Sequence, residues 1–388
     1  MSIEQKDMKR RDFLKGAVTG IGLGMFASMG LYSYSDMRNS HFPKVARKMQ
    51  DIGTCKSVTI TNISETSWFE NAVLMGDIKG AGGLLVNQYE FNWPPFGNGK
   101  GLGKGSYEEG IAKIKHLLPH KLDEAWAVIE QNCVHPANAG GFSCLVELEE
   151  MDGKKRKFLL DSGWSYKWMD ECFKREGIDK MLQNGEIEAL VISHEHFDHF
   201  WGLPVTLKYA PSIPIYIPEG FYKEGLQYIK DSGHTGEVHF IKNGLFTLAP
   251  GLATYVFPVP IISRVYGEQS LFCNVADKGL VSITGCCHQG IIQFTDTAFK
   301  ELKYEKDKFH GIYGGLHISP FDDWDPKYDD LVITLGGLGF ERIGCNHCTG
   351  ALCAKKFIAA GYPVVEGTAR HRSKNREYLG NGDTIRFG

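Results

Sequence analysis

Short apolar runs bounded by glycine or polar residues recur from the middle of the chain onward. Glu188-Ala-Leu-Val-Ile-Ser193 is apolar and β-branched enough to predict a buried strand. Phe142-Ser-Cys-Leu-Val-Glu-Leu148 and Lys157-Phe-Leu-Leu160 predict two more, joined through the hairpin signal Met151-Asp152-Gly153. Gly279-Leu-Val-Ser-Ile-Thr284 and the apolar Gly311-Ile-Tyr313 continue the series. Helical patterns alternate with these strands through 158–365, which predicts an α/β chain. The stretch from about 77 to 140 interrupts the succession. It holds glycine- and proline-rich loops at Asn92–Gly97 and Gly99–Gly105 and two helix-like runs near Tyr107–Leu118 and Leu122–Cys133. Gly99–Gly105 lacks the pattern of a phosphate-binding loop and reads as ordinary loop.

The strand ending at Ser193 runs into His194-Glu-His196-Phe-Asp198-His199, three imidazoles and a carboxylate within six residues. A strand end holds its backbone rigidly, and the following loop lets His194, His196, Asp198 and His199 turn toward one point. Neutral imidazole and carboxylate suit zinc, iron or manganese, so the segment predicts a metal site. Further candidates follow other strands: Asp161-Ser162-Gly163 after the hairpin, then Gly285-Cys286-Cys287-His288-Gln289-Gly290, Gly314-Gly315-Leu316-His317 and His347-Cys348-Thr349-Gly350.

H-x-H-x-D-H after an apolar strand resembles the signature of the metallo-β-lactamase fold superfamily, over roughly residues 56–385 apart from the insertion. The resemblance implies a four-layer αββα sandwich, with Val58–Asn62 as its first strand, and mostly hydrolytic chemistry at one or two metals. It implies that His194, His196 and His288 hold one divalent metal and that Asp198, His199 and His347 hold the other. Zinc is the first expectation, with iron and manganese as alternatives. Asp161 would stand behind the metals and orient a ligand. Cys286 falls where many members place a bridging Asp, so the bridge would be a hydroxide alone or this soft thiol. His317 would act beside the metals, and Asp198 would also orient the hydroxide. The Gly-Cys-x-His-x-Gly, Gly-Gly-x-His and His-Cys-Thr-Gly motifs resemble the subgroup related to the dihydropterin ribofuranosyl-aminobenzene-phosphate synthase of methanopterin biosynthesis. The expected activity is a metal-dependent hydrolase acting on an ester, phosphoester or related bond of a small-molecule substrate. Dihydropterin-type condensation, di-iron redox chemistry and a metal or ligand carrier are the alternatives.

Composition changes this picture little. Apolar residues make up 43% of 388, the mean hydropathy is −0.23, and the formal charge of −3 offers no basic field for nucleic acid. His371–Arg376 is a short basic patch that reads as solvated surface. The N-terminus adds a destination. Lys9-Arg10-Arg11-Asp12-Phe13-Leu14-Lys15 resembles a twin-arginine export motif, and the apolar, glycine-rich stretch from Gly16 to about Tyr32 follows as a signal core would. Residues 1–35 are thus expected to be a signal or anchor and 36–388 the catalytic domain, with the insertion at about 77–140. Partners would be the twin-arginine export machinery and the substrate in the periplasm. The membrane would be met only through an uncleaved N-terminal segment, because Ser33-Tyr34-Ser35 is a poor processing site. Of the ten cysteines, Cys286, Cys287, Cys345, Cys348 and Cys353 cluster within or beside the metal motifs, which predicts mostly free thiols. By chain order the insertion would form a lid, carrying Trp93, Phe96 or His135 toward substrate.

Overall fold

The computed structural model describes residues 49–65, 140–261, 265–304, 309–320, 324, 326, 328–373 and 375–388. The twin-arginine motif, the apolar stretch after it and nearly all of the insertion, with Trp93, Phe96 and His135, lie outside them.

The first half runs β1 (Cys55–Ser64), β2 (Ser143–Glu150), β3 (Lys155–Leu160), α1 (Tyr166–Glu176), α2 (Ile178–Gln183), β4 (Ala189–Val191), α3 (Phe197–Phe200), α4 (Leu203–Tyr209), β5 (Ile215–Pro218), α5 (Lys223–Asp231) and β6 (Val238–Ile241). The second continues with β7 (Gly244–Ala249), β8 (Leu252–Ile261), β9 (Val265–Val275), β10 (Gly279–Thr284), α6 (Ile291–Glu301), β11 (Phe309–Gly315), α7 (Tyr328–Gly337) and β12 (Arg342–Asn346). A 3-10 turn (His347–Thr349), α8 (Ala351–Ala359) and β13 (Thr384–Phe387) complete it. Every strand expected from the apolar runs is present. None of the helices is long and apolar enough to cross a membrane, among the described residues.

The strands follow one hydrogen-bonded path, β12-β11-β10-β9-β1-β2-β3-β4-β5-β6, with β13 on β1 and the β7–β8 hairpin on β9. The path is joined in its middle by the single residue pair Cys55–Val275, so its two halves fold over each other as separate sheets. Their inner faces meet in one core. Val58, Val146, Phe158 and Leu160 from the first half pack with Leu271, Val281 and Ile283 from the second. The outer faces bury the alternate residues, as the two-residue strand period requires. Leu145, Leu159 and Leu190 pack against Met169 and Phe173 of α1, Leu182 of α2 and Leu203 of α4. Phe272, Leu280 and Ile312 pack against Phe294 of α6, Leu335 of α7 and Phe357 of α8. Three apolar layers therefore separate helix, sheet, sheet and helix, which is the four-layer αββα sandwich.

α1 shows how locally the helices are specified. Trp168, Met169, Cys172 and Phe173 form its buried stripe, Lys174 and Arg175 occupy the last turn, and Gly177 ends it at φ 71°. For the site, direction matters more. β3, β4, β5 and β6 are parallel in one half, and β10, β11 and β12 are parallel in the other. Parallel neighbours put their carboxyl ends on one edge, where the loops that follow are free to carry polar side chains.

Candidate metal centre

Those carboxyl ends carry the candidate residues. Asp161 follows β3, Ser193 to His199 follow β4, Gly285 to His288 follow β10, His317 follows β11, and His347 follows β12. His194, His199 and His347 are fully buried, Asp198 and His288 nearly so.

The six residues expected to bind metal fall into two sets. The facing atoms of His194, His196 and His288 lie within 4.8 Å of one another, and so do those of Asp198, His199 and His347. In the first set His194 Nε2 stands 3.0 Å from His196 Nδ1. In the second, His347 Nε2 stands 3.2 Å from His199 Nε2 and 3.3 Å from Asp198 Oδ2. Phe142 closes the floor beneath the second set, its ring 5.7 Å from that of His199 and 5.5 Å from that of His347.

Buried partners fix which nitrogen of His194, His199 and His288 faces inward. Asp161 Oδ1 accepts the Ser193 N–H at 2.6 Å, and its Oδ2 lies 2.7 Å from both Ser193 Oγ and His199 Nδ1. Ser193 Oγ in turn lies 2.8 Å from His194 Nδ1. Asp161 thus holds His199 directly and His194 through Ser193. Gly285 makes the arrangement possible. A Cβ there would stand 2.7 Å from Asp161 Oδ2 and from Ser193 Oγ, and 3.1 Å from His199 Nδ1.

His288 has a support absent from the motifs. Glu268, on β9 and fully buried, accepts the Cys287 and His288 backbone N–H groups at 2.8 Å each. Its Oε2 also lies 2.8 Å from His288 Nδ1. The one signal in the sequence is a polar run inside an apolar strand, because Glu268, Gln269 and Ser270 are all fully buried. Antiparallel pairing sets Leu271 opposite Ile283, so β9 runs past the end of β10 and brings Glu268 to the loop that carries His288.

Cys286 lies between the sets. Its Sγ is 3.1 Å from His199 Nε2 and shares a 4.8 Å cluster with His194 and His199, one from each set. His317 stands beside the first set. Its ring centroid is 4.4 Å from that of His288, but its facing nitrogen groups with Cys286 and Cys348 rather than with either histidine set. It is half-buried, and with His288 it lines a cavity of about 290 Å³ walled by Ile292, Leu316, Ile318 and Leu331.

Backbone strain gathers here. Asp161, Cys287, His317 and His347 have φ of 64°, 59°, 48° and 47°. They are four of the eight non-glycine residues with positive φ among those described. Each such conformation costs on the order of 1–3 kcal/mol and persists only where surrounding contacts enforce it.

The electrostatics favour a cation. Burial holds His194 and His317 well below the ordinary imidazole range, lowers His347 and brings His288 down to about 3. These rings are therefore neutral, the form that binds metal. Burial alone would raise Asp198, but the adjacent His199 and His347 outweigh it and keep the carboxylate ionised. For His199 the effect of burial is likewise overcome, by Asp198 and Asp161, and its value rises. Burial lifts Asp161 against the pull of His199 and Ser193, and lifts Glu268 to about 7. His288 Nε2 gives the sharpest test of fit. It is buried with no hydrogen-bond partner, in the cluster it shares with His194 and His196. A buried polar atom of this kind calls for an explanation, and a divalent cation supplies one.

Residues 140–262 match the family described as the metallo-beta-lactamase superfamily. The chain is 23% identical over 255 residues to the 7,8-dihydropterin-6-methyl-4-(beta-D-ribofuranosyl)-aminobenzene-5'-phosphate synthase of Methanocaldococcus jannaschii, covering 56% of this chain and 83% of that one. Among solved structures it is similar to a metal-dependent hydrolase of the beta-lactamase superfamily, at 19% identity and a TM-score of 0.46, over 63% of this chain and 91% of the other. It is also similar to zinc-bound PqqB of Methylobacterium extorquens, at 12% identity and a TM-score of 0.42, over 84% of this chain and 99% of that one.

Proposed function

We propose that this protein is a metal-dependent hydrolase using two divalent cations, zinc first among them, a reading supported by the match of residues 140–262 to the metallo-beta-lactamase superfamily. The observation that carries this reading is the pair of buried three-residue donor sets side by side, one all imidazole and one containing a carboxylate. Cations held there would acidify a water and polarise a carbonyl or phosphoryl oxygen of the substrate.

The chain's own residues do the rest. His194, His196 and His288 present neutral nitrogens, and Asp198 contributes negative charge to the second set. Asp161, Ser193 and Glu268 hold the outer nitrogens of His199, His194 and His288, so the inner ones stay aimed without reorganisation. Cys286 stands between the sets as a soft donor, where many hydrolases of the superfamily have an Asp. His317 opens onto the cavity as a neutral imidazole, suited to donating an N–H to an oxyanion that develops on the substrate. The aliphatic side of the cavity suits an ester, phosphoester or lactone with an apolar portion.

The test is elemental analysis of anaerobically purified protein, followed by turnover of an ester, phosphodiester and lactone panel. Two equivalents of zinc or manganese with hydrolysis support the reading, and hydrolysis that persists without bound metal overturns it. Two equivalents of iron would move it to redox chemistry. A second reading rests on the synthase similarity and on the resemblance of the Gly285-Cys286-x-His288-x-Gly290 motif to that subgroup. In it the same centre would join a dihydropterin to an aminobenzene riboside phosphate. A condensed product in place of a hydrolysed one would decide for it.

We also propose export by the twin-arginine route, on the motif Lys9–Lys15. Replacing both Arg10 and Arg11 by Lys should leave the protein in the cytoplasm, and unchanged fractionation would refute export by this route.

A further inference from the structure

Beyond the two histidine sets, a third group of donors converges at the same edge. Cys348 donates its S–H to Cys286 Sγ at 3.3 Å, and a ring nitrogen of His317 lies within 4.8 Å of both sulfurs. We propose that Cys286, Cys348 and His317 form a further cation site, selective for a soft divalent ion such as zinc or cadmium, with Cys286 shared between it and the histidine sets.

The group is built rather than incidental. Thr349 Oγ1 accepts the Leu316 N–H at 2.9 Å and its backbone carbonyl accepts the Ser319 N–H at 3.1 Å, so the loop carrying His317 is fastened on both sides to the loop carrying Cys348. His317 is held at a φ of 48° to reach its place. Gly315 leaves room for the sulfur, since a Cβ there would stand 2.6 Å from Cys348 Sγ and 2.5 Å from the Gly285 carbonyl. Two thiolates bound to one zinc in tetrahedral geometry sit about 3.8 Å apart, from Zn–S bonds of about 2.3 Å. The observed pair needs to open only by roughly 0.5 Å to meet that spacing.

The chemistry balances. A divalent cation displaces one proton from each thiol, both protons pass to solvent, and the resulting ion with two thiolates carries no net charge into a buried place. Two sulfurs and one imidazole leave the fourth tetrahedral position unfilled, and His317 lies on the cavity side of the group. Such a site would admit a solvent molecule or a thiol, carboxylate or phosphate group of a ligand.

The experiment uses the full chain, purified anaerobically under reductant, stripped by chelator and titrated with cobalt(II) or cadmium(II). Bound metal is counted by elemental analysis, and thiolate-to-metal charge-transfer absorption is followed in parallel. The wild type should bind one equivalent more than Cys348→Ser and show stronger charge-transfer absorption. His317→Gln should weaken that same equivalent by about tenfold or more. Identical stoichiometry and absorption in wild type and Cys348→Ser would overturn the proposal. The difference between the proteins reads this site alone. The metal that remains in Cys348→Ser reads the histidine sets, so either proposal can fail without the other. If Cys348→Ser loses all metal through misfolding, His317→Gln, altered at a half-buried position, decides.

Discussion

The segment after β4 supplies His194 and His196 from its loop and Asp198 and His199 from α3, whereas the segments after β10 and β12 supply His288 and His347 singly. The two regions are stiffened differently. In the first, one buried carboxylate at the end of the adjacent strand reaches both sets, since Asp161 grips His199 and, through Ser193, His194. In the second, Glu268 grips His288 and the backbone beneath it by hydrogen bonds, and reaches the first region only through its charge. A cluster drawn from consecutive residues can share one support. His288, brought in from a distant strand, has a support of its own, delivered by the sheet.

The largest disturbance to this comparison is loss of a donor. His196→Ala should remove metal from the first set and lower turnover by at least about 10³-fold, equivalent to several kcal/mol of transition-state stabilisation. Metal content and rate measured on one preparation check this. Undiminished activity in metal-free protein would show that the centre has another purpose.

Asp161→Asn comes next. It should weaken both cations by about 10–100-fold, because one change loosens a histidine in each set. Competition with a chromophoric chelator measures this, and weakening of a single cation would mean that Ser193 holds His194 unaided. Glu268→Gln should weaken only the cation of the first set, by about tenfold, leaving the second near its wild-type affinity. Equal loss at both would erase the distinction between the two supports.

A further effect concerns the metal-free protein in acid. His288 has a folded value of about 3, against about 6.5 for an ordinary imidazole. Below 6.5 the unfolded chain takes up a proton that the folded chain refuses. The stability His288 contributes is therefore complete above about 6.5 and lost as pH falls toward 3. Urea midpoints of chelator-treated protein between pH 7 and 4 should fall with pH, and less steeply in His288→Gln. Parallel curves would mean that His288 is not held neutral. Bound cations should flatten both curves.

Much of the first region is legible in the amino-acid sequence. The strand ending near Ser193, the hairpin at Met151–Gly153, the H-x-H-x-D-H cluster and the Asp161 turn all depend on neighbours close in the chain. His288 and His347 are legible as candidates because each follows an apolar run. Glu268 is not, since its role follows from how far β9 overruns β10. His317 is legible as a site residue but its neighbours are not, because sequence spacing does not say that its turn is tied to Thr349.

The sequence by itself determined which strands end in candidate metal-binding side chains, because hydrophobic period, turn residues and ligand type are local properties. Tertiary structure alone decided that Glu268 stands behind His288 and that Cys286 meets Cys348. Those facts depend on two half-sheets, joined by a single residue pair, folding until their carboxyl ends face one point. That closure is driven by burial of the apolar faces between them, a force that carries no information about which polar side chains it brings together.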